Sequence, residues 1–435
     1  MNPARCPATG TKRSGRYRTV IVYDEKMNYR VMVWAEPRKF LIWIFETTII
    51  LQRQRYNMMG VRDALEATTD AAMPIGLTPT ATSASILGMN STSQVFDIHG
   101  RGDLPFPKNL REFQRLFPDD AACAAYLEKV RWENGFECPH CKSARAPYRF
   151  AARPGVLRCK ECRRDVALTA GTVMERTKMP LATWFWGAYL VSSFTPGLSA
   201  VQFQRQLGIA GYETAFQLLH KLRAGMVRSD RDRIGGARPN DHVEIDETWV
   251  GGATHGGGKG VHDKTLVIAA VEVRQRKPKE GDGKLRKGGR YAGRLRLEVM
   301  PNRGEKALCG FVEAAVEPGA MVVTDGAPSY ATLAARGYQH LAVVESDRPE
   351  VAEDYLPMVH LVFSNLKSWL QGTHHGVSPQ HLQAYLNEFT FRFNRRFYPF
   401  NAFRSLLGIA GDAEAPTYDG LYSGEWQHPA LANHG

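Results

Sequence analysis

The sequence predicts a multidomain α/β protein, in which a mixed sheet with helices is preceded by a zinc ribbon and a helix-turn-helix. Three observations carry that expectation. Two Cys-x-x-Cys pairs stand close together, three helical patterns follow them, and residues 241 to 345 then alternate β-rich and helical runs. At 435 residues the chain has room for two or three domains and at least one sizeable core.

Composition narrows the class. A hydrophobic fraction of 43% and a charged fraction of 23% suit a soluble globular protein. The 56 Lys+Arg against 44 Asp+Glu leave a net charge of +12, which favours a polyanionic partner because neutralised phosphates release counterions. Four of the seven cysteines form the two pairs, while Cys6, Cys123 and Cys309 are scattered. That usage argues for a reducing cytosol with a metal site rather than a secreted disulfide framework. The longest apolar stretch, Phe40 to Leu51, is interrupted by Glu46 and is too short to span a bilayer. It starts too late for a signal peptide and no small-residue cleavage site follows it, so a cytoplasmic location is expected.

Residues 1–105 show no sustained period: a basic opening (Lys12, Arg13, Arg16, Arg18), one apolar run, then a Thr/Ser/Ala/Met stretch. Two readings stay open, a segment lying ahead of a true start at Met89 or an accessory, partly disordered arm. Residues 106–170 are expected to hold a helical lead and the ribbon. Leu110, Phe113, Leu116 and Phe117 have helical spacing, and Asp119 or Asp120 caps a second helix from Ala121 to Trp132.

Cys138-Pro-His-Cys141 and Cys159-Lys-Glu-Cys162 are separated by 17 residues, the spacing of two knuckles that give four thiolates to one tetrahedral zinc. So short a segment cannot bury enough core alone. Zinc binding, on the order of 10–16 kcal/mol in small fingers, supplies the missing folding energy. Arg145, Arg149, Arg153, Arg158, Lys160, Arg163 and Arg164 surround the knuckles and suit either phosphate contact or a solvated surface.

Residues 171–235 are expected to form the helix-turn-helix. Leu181 to Ser193 is an aromatic-rich helix whose Trp184, Phe185 and Trp186 read as core. A short amphipathic helix from Ser199 to Leu207, a Gly208–Gly211 turn and a longer helix from Tyr212 to Met226 have the order that inserts into a major groove, with a plain three-helix bundle as the alternative. Gln217, His220, Lys221 and Arg223 are the candidate DNA contacts.

Residues 240–375 form the expected catalytic domain. Strand alternation in Val243-Glu-Ile-Asp-Glu-Thr-Trp-Val250 puts Glu244, Asp246 and Thr248 on one face, with Ile245 and Glu247 on the other. A second strand from Met321 ends in Asp325-Gly326, a place where α/β sheets present active-site acids. Two aspartates on adjacent strands are able to clamp two divalent cations about 3.5–4 Å apart.

Residues 108 to 407, about two thirds of the chain, resemble the insertion-sequence 1595 family of transposases, the ISXO-like group. The resemblance is carried by Asn109-Leu-Arg-Glu-Phe, both knuckles, Leu168-Thr-Ala-Gly-Thr, Val243 to Gly252, Thr324-Asp-Gly and Phe363-Ser-Asn-Leu-Lys367. It continues through Gly372-Thr-His-His-Gly-Val-Ser378 and Glu388 to Arg396. It implies a ribonuclease-H-like (RNase-H-like) DDE-type domain, Asp246 and Asp325 as its first two acids, and Mg²⁺ or Mn²⁺ as catalytic cofactor beside structural Zn²⁺. The third position, seven residues before Lys367, is His360 here, 35 residues after Asp325, where many family members have glutamate.

A neutral imidazole binds a divalent cation without adding negative charge, so Mn²⁺ is expected to be tolerated better than Mg²⁺. His360 and Lys367 lie on one helical face about 10 Å apart, and Lys367 is expected to hold a phosphate of the bound strand. Glu345, Glu353 and Asp354 are rival third acids. The implied activity is that of an insertion-sequence DNA transposase, which binds terminal inverted repeats, cleaves at the 3′ end and transfers the strand. Its implied partners are those repeats and target DNA, within a homodimer or larger assembly at the nucleoid. A DNA-binding regulator without catalysis and a hydrolysis-only nuclease are the alternatives.

Three features complete the chain. Residues 274 to 296 carry ten Lys/Arg, including Lys277 and Lys287, and read as a basic hairpin reaching along DNA or as a solvated loop. Gly256 to Gly260 lacks the pattern and following helix of a phosphate-binding loop. Residues 376–407 form a C-terminal helical element. Its Phe389, Phe391, Phe393, Phe397, Tyr398 and Phe400 either stack on unpaired bases or pack the helix onto the sheet, with Arg395 and Arg396 facing phosphate or solvent. Residues 408–435 are expected as a tail.

Overall fold

The computed structural model describes short strands between Arg13 and Ile49 and residues 104–228, 232–236, 238, 241–251, 264–276, 289–343, 356–412, 416–424, 426 and 431. Lys277, Lys287, Glu345, Glu353 and Asp354 lie outside the described residues. The chain divides into two compact units, Met1–Met89 and Asn90–Gly435. In the first, β1 (Arg13–Ser14), β2 (Tyr17–Tyr23), β3 (Tyr29–Ala35) and β4 (Arg38–Lys39) form an antiparallel sheet in sequence order. A two-stranded ladder, β5 (Ile44–Phe45) and β6 (Thr48–Ile49), follows.

The second unit opens with α1 (Leu110–Leu116) and α2 (Asp120–Arg131). Asn109 caps α1 by accepting the Glu112 N–H, and Asp119 caps α2 by accepting the Ala122 N–H. Asp120 instead reaches across to another helix. Its carboxylate accepts the Ala182 N–H at 2.8 Å, at the start of α3 (Leu181–Ser193), which has no cap of its own. Between them lies the ribbon sheet of β7 (Tyr148–Arg149), β8 (Val156–Arg158) and β9 (Asp165–Ala167). Next come α4 (Ala200–Leu207), capped by Ser199 and stopped by Gly208 at φ 62°, and α5 (Tyr212–Ala224).

The helices α1 to α5 bury one aromatic-rich core centred on Phe113, Phe185, Phe203 and Phe403. The expected three helices are therefore present. The second helix of the pair is not a free reading helix, however, because α5 packs against several other helices and buries Leu218, Leu219, His220, Leu222 and Arg223.

The central sheet contains β10 (His242–Val250), β11 (Thr265–Gln275), β12 (Arg290–Met300), β13 (Met321–Thr324) and β14 (Gln339–Ala342), in the order β12-β11-β10-β13-β14. The first three strands are antiparallel neighbours, whereas β13 runs parallel to β10 and β14 parallel to β13. One face packs on α6 (Glu305–Ala315) through Val243, Ile245, Ile268 and Ala270. The other packs on α7 (Pro357–Trp369) and α8 (Leu382–Asn394) through Val267, Ala269, Val271 and Leu295. This mixed sheet with helices is consistent with the ribonuclease-H-like expectation.

Two further helices follow, α9 (Pro399–Asp412) and α10 (Tyr418–Ser423). Ala402, Phe403, Leu406, Leu407 and Ala410 of α9 enter the helical core, so the segment from 408 begins inside a packed helix rather than as a tail. Among the described residues, no helix is long and apolar enough to cross a membrane.

Candidate catalytic centre and zinc site

Strand β10 and helix α7 meet in step. Glu244, Asp246 and Thr248 share one face of the strand, as alternation requires, and each reaches α7. The buried Glu244 carboxylate accepts the N–H groups of Met358 and Val359 at 2.7 and 2.8 Å. It thereby caps a helix whose own N-cap, Leu356, offers no side-chain bond, and sets a negative charge at the positive helix end. The Asp246 Oδ2 lies 3.3 Å from the His360 Nε2. Lys367, exposed, donates from Nζ to the Thr248 Oγ1 at 2.8 Å.

Asp325 arrives from the neighbouring strand. In the parallel ladder Val243 pairs with Val322 and Glu244 with Val323, and Asp325 directly follows Thr324, the last residue of β13. Gly326 at φ 79° makes the turn that follows. Each aspartate uses one oxygen to accept a backbone N–H, Asp246 from Glu247 at 2.8 Å and Asp325 from Ala327 at 3.0 Å. Two carboxylates and an imidazole are a donor set suited to divalent cations. Among the described residues, though, the four cysteines are the one set of three or more such groups gathered closely enough for a single ion. Asp246, Asp325 and His360 are thus not drawn around one ion.

The opposite face of β10 supports this site with residues that the sequence pattern does not single out. Glu247 is nearly buried and accepts from the Tyr330 hydroxyl at 2.7 Å and from Arg303 Nε at 2.6 Å. The hydrogen bond to Glu247 raises the Arg303 pKa, with Asp325 adding to the effect, while burial first and Glu247 second hold the Tyr330 phenol protonated. Strand alternation already placed Glu244 on Asp246's face, a signal for its role; no local signal pointed to Arg303 or Tyr330.

At the ribbon, the Cys138 and Cys162 sulfurs lie 3.7 Å apart and those of Cys141 and Cys159 3.6 Å apart, with all four within 4.8 Å. Zn–S bonds of about 2.3 Å in a tetrahedron require S–S edges of about 3.8 Å. The four thiols fit a structural zinc. The two knuckles repeat one geometry: Cys138 N–H donates to Ser143 and Lys142 N–H to Cys138, as Cys159 does to Arg164 and Arg163 to Cys159. Of the basic residues around them, Arg158 is tied to Asp165 at 2.6 and 3.1 Å.

Several expected DNA contacts need correction. His220 is buried, stacked on Phe216 at 4.1 Å, and burial holds its pKa well below the usual histidine range. Arg223 has no exposed surface and its Nε donates to Glu388 at 2.8 Å. Arg395 is buried over the Phe391 ring at 3.9 Å, and burial pushes it down to about 9. All three side chains are buried, so none stands on an exposed face. Gln217 and Lys221 are half-buried, and the Lys221 Nζ donates to the Glu175 carbonyl. Arg396 is half-buried and donates to the Ala292, Gly293 and Phe393 carbonyls, joining α8 to β12. The ends of the basic stretch, 274–275 and 290–296, lie in strands rather than in a loop. Arg274, Arg294 and Arg296 sit in strands, where they pair with Glu272 and Asp232. Burial alone would raise the Glu272 carboxyl, but Arg294 and its neighbours bring it down to about 2.

Comparison with known proteins finds two domain families along the chain. Residues 239–394 match the ISXO2-like transposase domain and residues 118–165 match the transposase zinc-ribbon domain. An uncharacterized protein in the transposable element ISH50 of Halobacterium salinarum is 28% identical over 139 residues, which cover 31% of this chain and 44% of that protein. The chain thus spans under half the length of the curated relative it matches. No solved structure matches it. The chain shares two domains with transposases of the insertion-sequence 1595 family.

Proposed function

We propose that the chain is the DNA transposase of an insertion sequence, which binds the terminal inverted repeats of its element, cleaves at their 3′ ends and transfers the exposed strand to target DNA. The observation that carries this reading is the in-step contact of β10 with α7, which sets His360 3.3 Å from Asp246 while Asp325 directly follows the adjoining parallel strand. Asp246 and Asp325, with His360, would hold two divalent cations, which when bound supply an activated oxygen nucleophile and offset charge at phosphorus. Asp246 is oriented by the Glu247 N–H, and His360 by the capping of α7 on Glu244. Lys367 positions a phosphate of the bound strand beside Thr248. No bond forms between protein and DNA in this scheme. Two element ends require a homodimer or larger assembly on DNA.

Labelled element ends incubated with the protein, Mn²⁺ and a target plasmid test the reading. Joined products are expected from the wild type, with none from Asp246→Ala or Asp325→Ala while both variants still shift the labelled DNA. Cut ends without joining would select a hydrolytic nuclease, and a shift alone a DNA-binding regulator. Joining that survives either alanine would overturn the assignment.

A further inference from the structure

A groove of about 870 Å³ lies between α7, α8 and the edge strand β12. Its volume falls within the roughly 300–1,000 Å³ of sites that enclose small organic ligands. Met358 and Leu361 of α7 line it, flanking His360 in the chain, and Leu361 is 44% exposed.

The chemistry of the lining is uneven. Tyr291, Trp369, Phe393 and Phe397 supply rings, and Arg290 and Arg396 supply positive charge; among the described residues, none of the lining side chains is acidic. The rings are also ordered in advance. The Arg396 guanidinium lies over Phe393 at 3.9 Å and over Phe397 at 4.3 Å, and its three carbonyl partners fix it in that position. Tyr291 meets Phe397 edge-on at 6.2 Å. Phe397 nevertheless stays 58% exposed, so the platform ends in an open ring face. A large aromatic ring exposed to this degree and held by a fixed cation is a surface for stacking, not for packing a core.

Resting on the transposase reading, we propose that this groove takes unpaired nucleotides of the DNA strand next to the cleavage site, stacking a base on Phe397 while arginines of the rim meet its phosphates. Aromatic rings interleaved with arginines bind single strands without sequence preference, because every base has a π face. A base within a duplex is already stacked on its neighbours and has no face to offer. The groove therefore discriminates for strand ends that are frayed or opened. Arg395, which also lines it, is too deeply buried to join the rim.

The test is binding of a fluorescein-labelled eight-nucleotide (dT) oligomer, an abasic oligomer of equal charge and a 20-base-pair duplex, with no divalent cation added. Phe397→Ala should weaken (dT) binding at least about fivefold, the lower end of the effect of losing one stacked base. Duplex binding should change less than about twofold, and wild type should bind the abasic oligomer as weakly as the variant binds (dT). An unchanged thermal midpoint shows that the variant is folded, and Phe397→Tyr should restore (dT) binding.

Equal affinity of the wild type for (dT) and abasic strands would overturn the proposal by assigning binding to phosphates alone. Tighter binding of the matching (rU) oligomer would assign the groove to RNA and overturn it too. A dimer that Phe397→Ala dissociates in sedimentation would give the face to a second copy of the chain, which equally rules the proposal out. Because the assay reads binding and not joining, it succeeds or fails separately from the catalytic reading.

Discussion

His360 stands where a carboxylate would bring one more negative charge to the site, and its Nε2 already faces the Asp246 Oδ2 at 3.3 Å. On the proposed reading an imidazole there would coordinate without neutralising, and its softer nitrogen would suit Mn²⁺ better than Mg²⁺. Joining is therefore expected to run faster in Mn²⁺ than in Mg²⁺ for the wild type. His360→Glu should narrow that gap by raising the Mg²⁺ rate, measured as initial rates of joined product in each metal. Equal rates in both metals, unmoved by the substitution, would remove His360 from the site. At this scale much of the centre was readable in advance. The strand-end position singled out Asp325, and alternation grouped Glu244, Asp246 and Thr248. What alternation does not reveal is which partner each acid meets, so the capping of α7 by Glu244 and the Arg303–Glu247–Tyr330 cluster emerged only from the fold.

The elements differ in how faithfully the sequence announces them. Paired cysteines report the ribbon because four thiolates converging on one ion leave a fixed spacing in the chain, whatever surrounds it. Its knuckles also carry a cost that spacing hides: Lys142 and Arg163 adopt φ of 58° and 61°, a region that favours glycine. The bound metal must hold these turns against that strain. Stripping zinc with a chelator should accordingly expose residues 138–162 to proteolysis while strands β10, β11, β12 and β13 stay protected, followed by peptide mapping. Ribbon protection that persists without metal would show that the short sheet is stable by itself. The α4–turn–α5 pair teaches the opposite lesson. Periodicity located both helices to within about two residues, yet it says nothing about what packs on the polar side of α5. Elements far along the chain, α8, α9 and α10, supply that cover, so His220 and Arg223 became interior groups.

Across the whole second unit, one buried ion pair ties the helical core to the central sheet. Arg223 on α5 donates to Glu388 on α8 at 2.8 Å, and α8 in turn packs along β12. Around the pair, Arg223 lies over the Tyr385 ring at 3.8 Å and approaches the His220 Nε2 at 3.0 Å, while Glu388 also meets Arg392 at 3.5 Å. Two arginines thus share one carboxylate in a site with almost no solvent, and the consequences of breaking it are unequal. Glu388→Gln removes the negative charge that two buried cations share, a change that typically costs about 3–5 kcal/mol. Arg223→Met leaves Glu388 its partner Arg392 and replaces a guanidinium with a shorter apolar chain, so its cost should be smaller. Urea unfolding of the two variants is expected to place the Glu388→Gln midpoint clearly below that of Arg223→Met, with both below the wild type. The reverse order would mean that Arg223 acts mainly through its contact with Tyr385, and that the coupling of the two cores depends on packing rather than on charge.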